Sequence, residues 1–140
     1  IQLGILENNF NLPSDENTTV NYNDVSKPLD KRVRSYFDIN CAHCHTENGH
    51  CDYRPMRLGF SETNNNLTNM GVCVDTQDMQ DFAPELSKIV TPRRVNQSML
   101  YHRVNTVDET YRMPLHGRTI IHTEGVTLIE NWINSLDDCR

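Results

Sequence analysis

Cys41-Ala42-His43-Cys44-His45 is the stretch on which the interpretation of this chain depends. Two thiols three positions apart, followed directly by a histidine, are the pattern of covalent haem c attachment. The two sulfurs would form thioethers to the two vinyl groups of a porphyrin. A single turn of helix would then bring His45 under the iron as an axial ligand. The pattern therefore predicts one haem c, attached through Cys41 and Cys44.

A Cys-x-x-Cys pair is also half of a zinc site or a redox dithiol. A structural zinc site needs a second closely spaced ligand pair, whereas Cys51 and Cys73 stand alone in the sequence. A thioredoxin-like dithiol lies between a strand and a helix, and no apolar β-type run precedes Cys41. Both alternatives are therefore weaker than haem attachment.

Met113, in Arg112-Met113-Pro114, is the predicted second axial ligand. A thioether sulfur is soft and neutral, and His/Met ligation raises the reduction potential of a haem. Pro114 biases the residue before it toward an extended conformation, so Met113 is expected to project from a loop. Other methionines are less suited, and Met99 is expected in the core. Histidine ligation remains the alternative, from His43, His50, His102, His116 or His122.

Composition limits the classes of function. With 140 residues the chain is large enough for one domain, and at 36% apolar residues a buried porphyrin would supply part of the core. The net charge of -6 argues against nucleic acid and against an anionic membrane surface, and no apolar run is long enough to span a membrane. A redox partner with a neutral or basic docking face is the natural inference.

The N-terminal part of the chain is polar and begins at Ile1 without the basic and apolar regions of a signal peptide, so we expect either a processed start or a domain of a longer protein. Because haem c is attached in oxidising compartments outside the cytoplasm, we expect a periplasmic or otherwise exported protein. Residues 1–28 are interpreted as an extension or linker, and residues 29–140 as a monohaem cytochrome c domain.

One helix is predicted directly before the haem motif, and another near the C-terminal end of the chain. Leu29, Val33 and Phe37 recur at helical spacing after Pro28 and predict about three turns running into Cys41. A second apolar stripe follows Thr123, and its Trp132 is expected to pack against Phe37 and the haem edge. Asn96 is the expected cap of a short helix carrying Met99, Leu100 and Val104, and residues 61–69 are expected to form a loop.

These stretches together resemble the class I cytochrome c domains, and more narrowly those at the C-terminal end of larger exported bacterial proteins. The resemblance rests on residues 38–45, 98–103, 112–115 and 122–126. It implies an all-α, small cytochrome c-like helical fold around one covalent haem, with long irregular loops, and it implies single-electron transfer without bond-making catalysis. It also implies that the Pro55 carbonyl accepts a hydrogen bond from His45. Further haem-contacting residues are expected at Met56, Leu58, Phe60, Leu100, Pro114 and Trp132.

Three cysteines remain after the motif has used two. In an exported protein we expect one disulfide and one free thiol. The resemblance favours Cys73 with Cys139, and Cys51 with Cys73 is the second choice.

The alternative function is a haem enzyme of the peroxidase type, or a gas sensor, in which the distal iron position is open. A purely structural haem is a third hypothesis. Arg93 and Arg94 are either partners of a haem propionate or part of a solvated face. The reduction potential, the redox partner and the oligomeric state do not follow from the sequence.

Overall fold

Three α-helices supply the regular structure of the protein, as seen in a computed structural model that describes residues 18–77, 79 and 81–139. They are α1 (Leu29–Asn40), α2 (Met99–Val104) and α3 (Thr123–Ser135), with short 3₁₀ turns at Pro84–Leu86 and Val95–Gln97. Within the described ranges there are isolated β-bridges but no β-strand. The predicted all-α class with long irregular loops is therefore confirmed at the level of secondary structure.

Helix α1 begins directly after Pro28 and ends where the Cys-x-x-Cys-His motif begins. Proline is favoured at a helix start because its missing N–H would have no partner there and its φ is already helical. Val33 and Phe37 lie one turn apart and are almost completely buried, with 0% and 1% exposure. The prediction of a three-turn helix running into Cys41 is thus confirmed.

Helix α3 packs its apolar stripe against α1. Five of its apolar side chains are buried: Val126, Leu128, Ile129, Trp132 and Ile133. The rings of Trp132 and Phe37 meet edge to face with centroids 5.7 Å apart, a favourable arrangement for aromatic pairs. The predicted contact between these two residues is confirmed. Leu58, Met70, Val72, Ile89 and Val90 complete the same cluster from the intervening chain.

The start of α2 differs from the prediction. Asn96 lies in the 3₁₀ turn Val95–Gln97, and the helix begins only at Met99, after Ser98. The Ser98 hydroxyl accepts the Thr91 N–H at 2.9 Å and makes no capping bond to the helix. Asn96 as the cap of α2 is therefore wrong, whereas burial of Met99 is confirmed.

Polar residues of α1 hold the segment that follows the haem motif. Arg34 is only 4% exposed, and its guanidinium donates to the Phe60 carbonyl at 2.6 Å and to the Thr63 hydroxyl at 3.1 Å. Asp38 accepts the Phe60 N–H at 2.8 Å. Because buried polar groups need hydrogen-bond partners, these bonds fix the register of the chain around Phe60. Residues 61–69 form consecutive turns without a helix, which confirms the predicted loop.

The central segment is joined covalently to the C-terminus by the disulfide between Cys73 and Cys139. Gly71, with φ of +81°, turns the chain so that its carbonyl accepts the Val90 N–H at 3.0 Å, and Cys73 donates to Val90 at 2.9 Å. The favoured disulfide is confirmed and the pairing of Cys51 with Cys73 is wrong. Cys41, Cys44 and Cys51 are free thiols.

Arg93 is an exposed residue that lies at the C-terminal end of α3. Its backbone N–H donates to Ile133 at 2.9 Å, and its Nε donates to the Leu136 carbonyl at 3.0 Å. The carboxylates of Asp137 and Asp138 lie 3.6 and 3.8 Å from its guanidinium. Carbonyls at a helix C-terminus attract such a cation. The structure therefore gives Arg93 a role in ending α3.

Part of the predicted N-terminal extension packs on α1. The Val20 N–H donates to the Ser35 hydroxyl at 2.9 Å, and Arg32 donates to the Tyr22 carbonyl at 2.6 Å. The Tyr22 ring meets the Tyr36 ring edge to face at 5.3 Å. Residues 1–17 of that extension lie outside the described residues, and the domain boundary at residue 29 stays a prediction.

Candidate functional site

The haem-type motif forms a tight turn at the end of α1. Cys41 donates its N–H to Phe37 at 2.8 Å, and the N–H of His45 returns to the Cys41 carbonyl at 3.0 Å. One turn of backbone therefore carries both thiols and the imidazole. The helix positions this turn because the burial of Phe37 fixes the last turn of α1 against Trp132.

The two motif thiols differ in environment. The Cys41 side chain packs against the apolar core cluster, although the residue as a whole remains partly exposed. Desolvation of the thiol, with a smaller contribution from nearby Cys44, raises the pKa of Cys41 to about 12. Cys41 is therefore a protonated thiol at neutral pH. Cys44 is half-buried as well but does not pack against that cluster.

His45 is buried, with 8% exposure. Burial lowers the pKa of its imidazole, and the positive charges of Arg54 and Arg57 act in the same direction. The ring is thus held in the neutral form, which is the form that binds a metal. Its Nδ1 atom is buried and finds no hydrogen-bond partner among the described residues. Since buried polar atoms are normally paired, this imidazole has capacity for a partner that the described chain does not supply.

The expected hydrogen bond between His45 and the Pro55 carbonyl is wrong for this structure, because the His45 Nδ1 atom is unpaired. Arg57 explains where the neighbouring carbonyls point. Its guanidinium donates hydrogen bonds to the carbonyls of Asp52, Arg54 and Met56 at 3.0, 2.6 and 2.8 Å. The backbone on both sides of Pro55 is therefore folded around Arg57.

Met113 is placed in a loop between α2 and α3 and is half-buried. Its N–H donates to the Arg103 carbonyl at 2.8 Å. The charge of Arg103 is also among those that lower the pKa of His45, so Arg103 lies within electrostatic range of the imidazole. Met113 and Pro114 lie outside the described core cluster.

Two arginines on either side of Met113 carry buried, unpaired donors. The Nε atoms of Arg112 and Arg118 have no acceptor within the described part of the chain. The other nitrogens of Arg118 are bound, one to the Val104 carbonyl at 2.6 Å and one to the Thr106 carbonyl. Burial lowers the pKa of Arg118 and the charge of Arg112 adds to this, while Tyr36 opposes it. Two neighbouring cations with spare donors favour an anionic ligand.

These arginines, and the hydrogen bond that the Cys51 N–H donates to the Cys44 carbonyl at 3.0 Å, were not predicted from the sequence. The sequence signal for the arginines is the presence of two cations close to Met113 in a chain with a net charge of -6. For Cys51, the sequence signal was the odd number of cysteines in the chain.

The remaining predicted haem contacts are buried in the apolar core, packed against it, or half-buried outside it. Leu58 and Trp132 belong to the buried core cluster, and Met56 and Leu100 pack against it together with Cys41. Phe60 is buried beneath the Arg34 guanidinium, which lies 4.3 Å from its ring centroid. Pro55 and Pro114 are half-buried. Leu58, Trp132, Met56 and Leu100 therefore share one apolar cluster with Cys41.

Two of the alternative distal histidines have other partners. The Nδ1 atom of His122 lies 2.9 Å from the Tyr36 hydroxyl, and the two rings stack at 5.6 Å. His102 lines a surface cleft of about 470 Å³ and contacts the rings of Phe82 and Tyr111. These contacts account for both side chains without a metal.

Searches against family models, curated proteins and solved structures return no match to this chain. Among the residues that the structure describes, no group of three or more His, Cys, Asp and Glu side chains is arranged to hold a metal ion. No helix in the same residues is long and apolar enough to cross a membrane.

Proposed function

We propose that this chain is a monohaem c-type electron-transfer protein, with haem attached through Cys41 and Cys44 and with His45 and Met113 as axial ligands. One observation carries the proposal. The Cys41-to-His45 motif folds into a single turn whose two thiols are free and whose imidazole is buried with an unpartnered Nδ1 atom. Covalent haem attachment needs two free thiols at this spacing directly before a histidine.

The surrounding residues fit a haem. Free thiols at Cys41 and Cys44 match its two vinyl groups. Apolar side chains beside Cys41 match the porphyrin face, and the unpaired Nε donors of Arg112 and Arg118 match its two carboxylates in charge. Such a group would give both arginines the acceptors that they lack.

The chain's residues would hold the group and set its electronic environment. When bound, a haem supplies an iron that accepts or releases one electron. His45 presents a neutral nitrogen because burial keeps the imidazole unprotonated. Met113 would offer a neutral sulfur, which favours the ferrous state, and its N–H bond to Arg103 fixes the loop that presents it. The buried side chains around Trp132 would exclude water from the side of the haem that contacts them.

The proposed partner and compartment follow from charge and disulfide chemistry. The chain carries a net charge of -6, so a redox partner with a neutral or basic docking face is favoured by electrostatic complementarity. The disulfide between Cys73 and Cys139 is typical of an oxidising compartment. We therefore place the protein in the periplasm or another exported location.

A visible absorption spectrum of the full chain, produced with a bacterial haem-attachment system, tests the proposal. We expect covalent haem and, in the ferric protein, the weak far-red band of sulfur-to-iron ligation. Met113→Ala should abolish this band. Met79→Ala is the matched control, because Met79 is also a half-buried loop methionine, and it should leave the band intact.

Two results would contradict the proposal. Absence of covalent haem from the unmodified chain would remove it altogether. Ready binding of carbon monoxide or cyanide by the unmodified ferrous or ferric protein would show an open distal position, and would favour the haem enzyme or gas-sensor alternative.

A further inference from the structure

The loop that follows Cys44 folds back onto it. Cys51 donates its N–H to the Cys44 carbonyl at 3.0 Å, and Gly49 donates to Thr46 at the same distance. A Cβ atom at Gly49 would lie 2.5 Å from the Cys44 carbonyl oxygen, so only glycine allows the loop to approach this closely. The backbone of Cys51 is therefore held directly beside that of Cys44.

Their side chains are also in contact. Burial raises the pKa of the Cys51 thiol, the neighbouring Cys44 thiol adds to this, and both thiols are free. Cys51 is only 4% exposed, so it is shielded from unrelated thiols in solution. Disulfides form without strain only when the two backbones lie close together, and the hydrogen bond between these residues already meets that requirement.

We propose that Cys44 and Cys51 form a disulfide in the haem-free chain, and that this bond withholds Cys44 from haem attachment. The second half rests on the function proposed above. Cys51 is thereby assigned a redox role at the attachment site. The third free thiol, Cys41, packs against the apolar core cluster and is the competing partner for Cys44, so the test must distinguish the two pairings.

The chemistry balances with a thiol–disulfide oxidant of the kind that must also close Cys73 with Cys139. The two thiols of Cys44 and Cys51 lose two protons and two electrons as their S–S bond forms, and the disulfide of the oxidant is reduced to two thiols. A dithiol reductant reverses the exchange. Thioether formation adds the S–H of Cys44 across a vinyl double bond, so it requires the reduced thiol.

The first test needs no haem. The full chain, exported to a bacterial periplasm without haem attachment, is alkylated under non-reducing conditions and its disulfides are mapped by mass spectrometry. We expect a peptide linking Cys44 to Cys51 beside the one linking Cys73 to Cys139. The Cys51→Ala variant should lose this peptide, whereas His50→Ala, a change at an exposed neighbour in the same loop, should retain it. A link between Cys41 and Cys44, or alkylated Cys44 and Cys51, would overturn the proposal.

The second test supplies haem and measures the fraction of chains that carry it. Under oxidising conditions Cys51→Ala should raise this fraction above that of the unmodified chain, and added reductant should remove the difference. Equal fractions without reductant would overturn the withholding role. If the unmodified chain carries no haem even with reductant, the proposed function fails, while the peptide map still decides the Cys44–Cys51 pair on its own.

Discussion

The helical core and the Met113 loop are held together by different forces. In the core, Phe37, Trp132 and Ile133 are buried with 2% exposure or less, and apolar contact dominates. In the loop between Val104 and Thr123, the side chains of Leu115 and Ile120 are exposed, and the Arg118 guanidinium is bonded to backbone carbonyls. The core is specified by apolar periodicity, whereas the loop depends on a few charged donors.

The same difference separates the two proposed axial ligands. His45 lies in the turn that follows α1, so its position is set by the packing of that helix in the core. Met113 is tied by one backbone bond to Arg103 and is flanked by cations with unpaired donors. Residues on the core side should therefore respond to mutation through stability, and residues on the loop side through ligation and local order.

Replacing Trp132 with alanine should give the largest loss of stability. Removing a fully buried aromatic side chain leaves a cavity and typically costs about 3–5 kcal/mol of unfolding free energy. Urea denaturation followed by circular dichroism measures the effect. Ile120→Ala is the control from the loop, and at 74% exposure it should change stability by less than about 0.5 kcal/mol. Similar losses of stability for both variants would contradict the distinction between the helical core and the Met113 loop.

Removing the disulfide should be the next largest effect. The bond spans 66 residues, and the double variant Cys73→Ser/Cys139→Ser should lose about 2–4 kcal/mol because the unfolded chain gains conformational freedom. Denaturation of the variant is compared with that of Val25→Ala, at a residue with 83% exposure outside the segment that the disulfide closes. A variant as stable as the unmodified chain would show that the cross-link does not constrain the unfolded state.

Arg118→Gln tests the loop directly. Bonds from a charged guanidinium to the carbonyls of Val104 and Thr106 would be lost, at a cost of about 1.5–3 kcal/mol. In the haem-loaded protein we also expect a lower reduction potential, because removal of a nearby positive charge favours the ferric state. Arg94→Gln, at an exposed position, should change neither quantity. Equal behaviour of the two variants would contradict the assignment of Arg118.

Tyr36→Phe should have the smallest effect, and it should depend on pH. Its hydroxyl lies 2.9 Å from His122 Nδ1, so its loss should cost about 1 kcal/mol at pH 8. Burial raises the pKa of Tyr36 from 10.0 to about 12. Between these pH values the folded chain keeps a proton that the unfolded chain loses, so this residue's contribution to stability falls as pH rises.

Denaturation at pH 8 and at pH 11 tests this linkage. The difference between Tyr36→Phe and the unmodified chain should shrink at the higher pH. Tyr53→Phe, at a residue with 69% exposure, is the control. A difference that stays constant with pH would argue against burial of the Tyr36 hydroxyl.

The parts of the fold that the sequence predicted are those governed by short-range patterns. Pro28 and the spacing of Val33 and Phe37 predicted α1, and the apolar stripe around Trp132 predicted α3. Asn96 failed as a cap because capping preference is weaker than the tertiary contacts of Ser98 with Thr91. Local propensity cannot register a hydroxyl that is bound seven residues away.

The unpredicted parts depend on contacts between distant residues. Pro55 lacks its expected bond with His45 because Arg57 collects the carbonyls around it. The Tyr36–His122 pair joins residues from α1 and the start of α3. The axial ligation by Met113, the haem and the electron-transfer role stay predictions, to be decided by spectroscopy.

The cross-link at Cys139 has a consequence for motion within the native state. It fastens the end of the chain after α3 to the segment containing Val72 and Val90, while Arg93 bonds the last turn of the same helix. Helix α3 therefore cannot fray from its C-terminus without disturbing that segment. We expect amide hydrogen exchange in the two to proceed as one cooperative unit, and to separate into two when the disulfide is reduced.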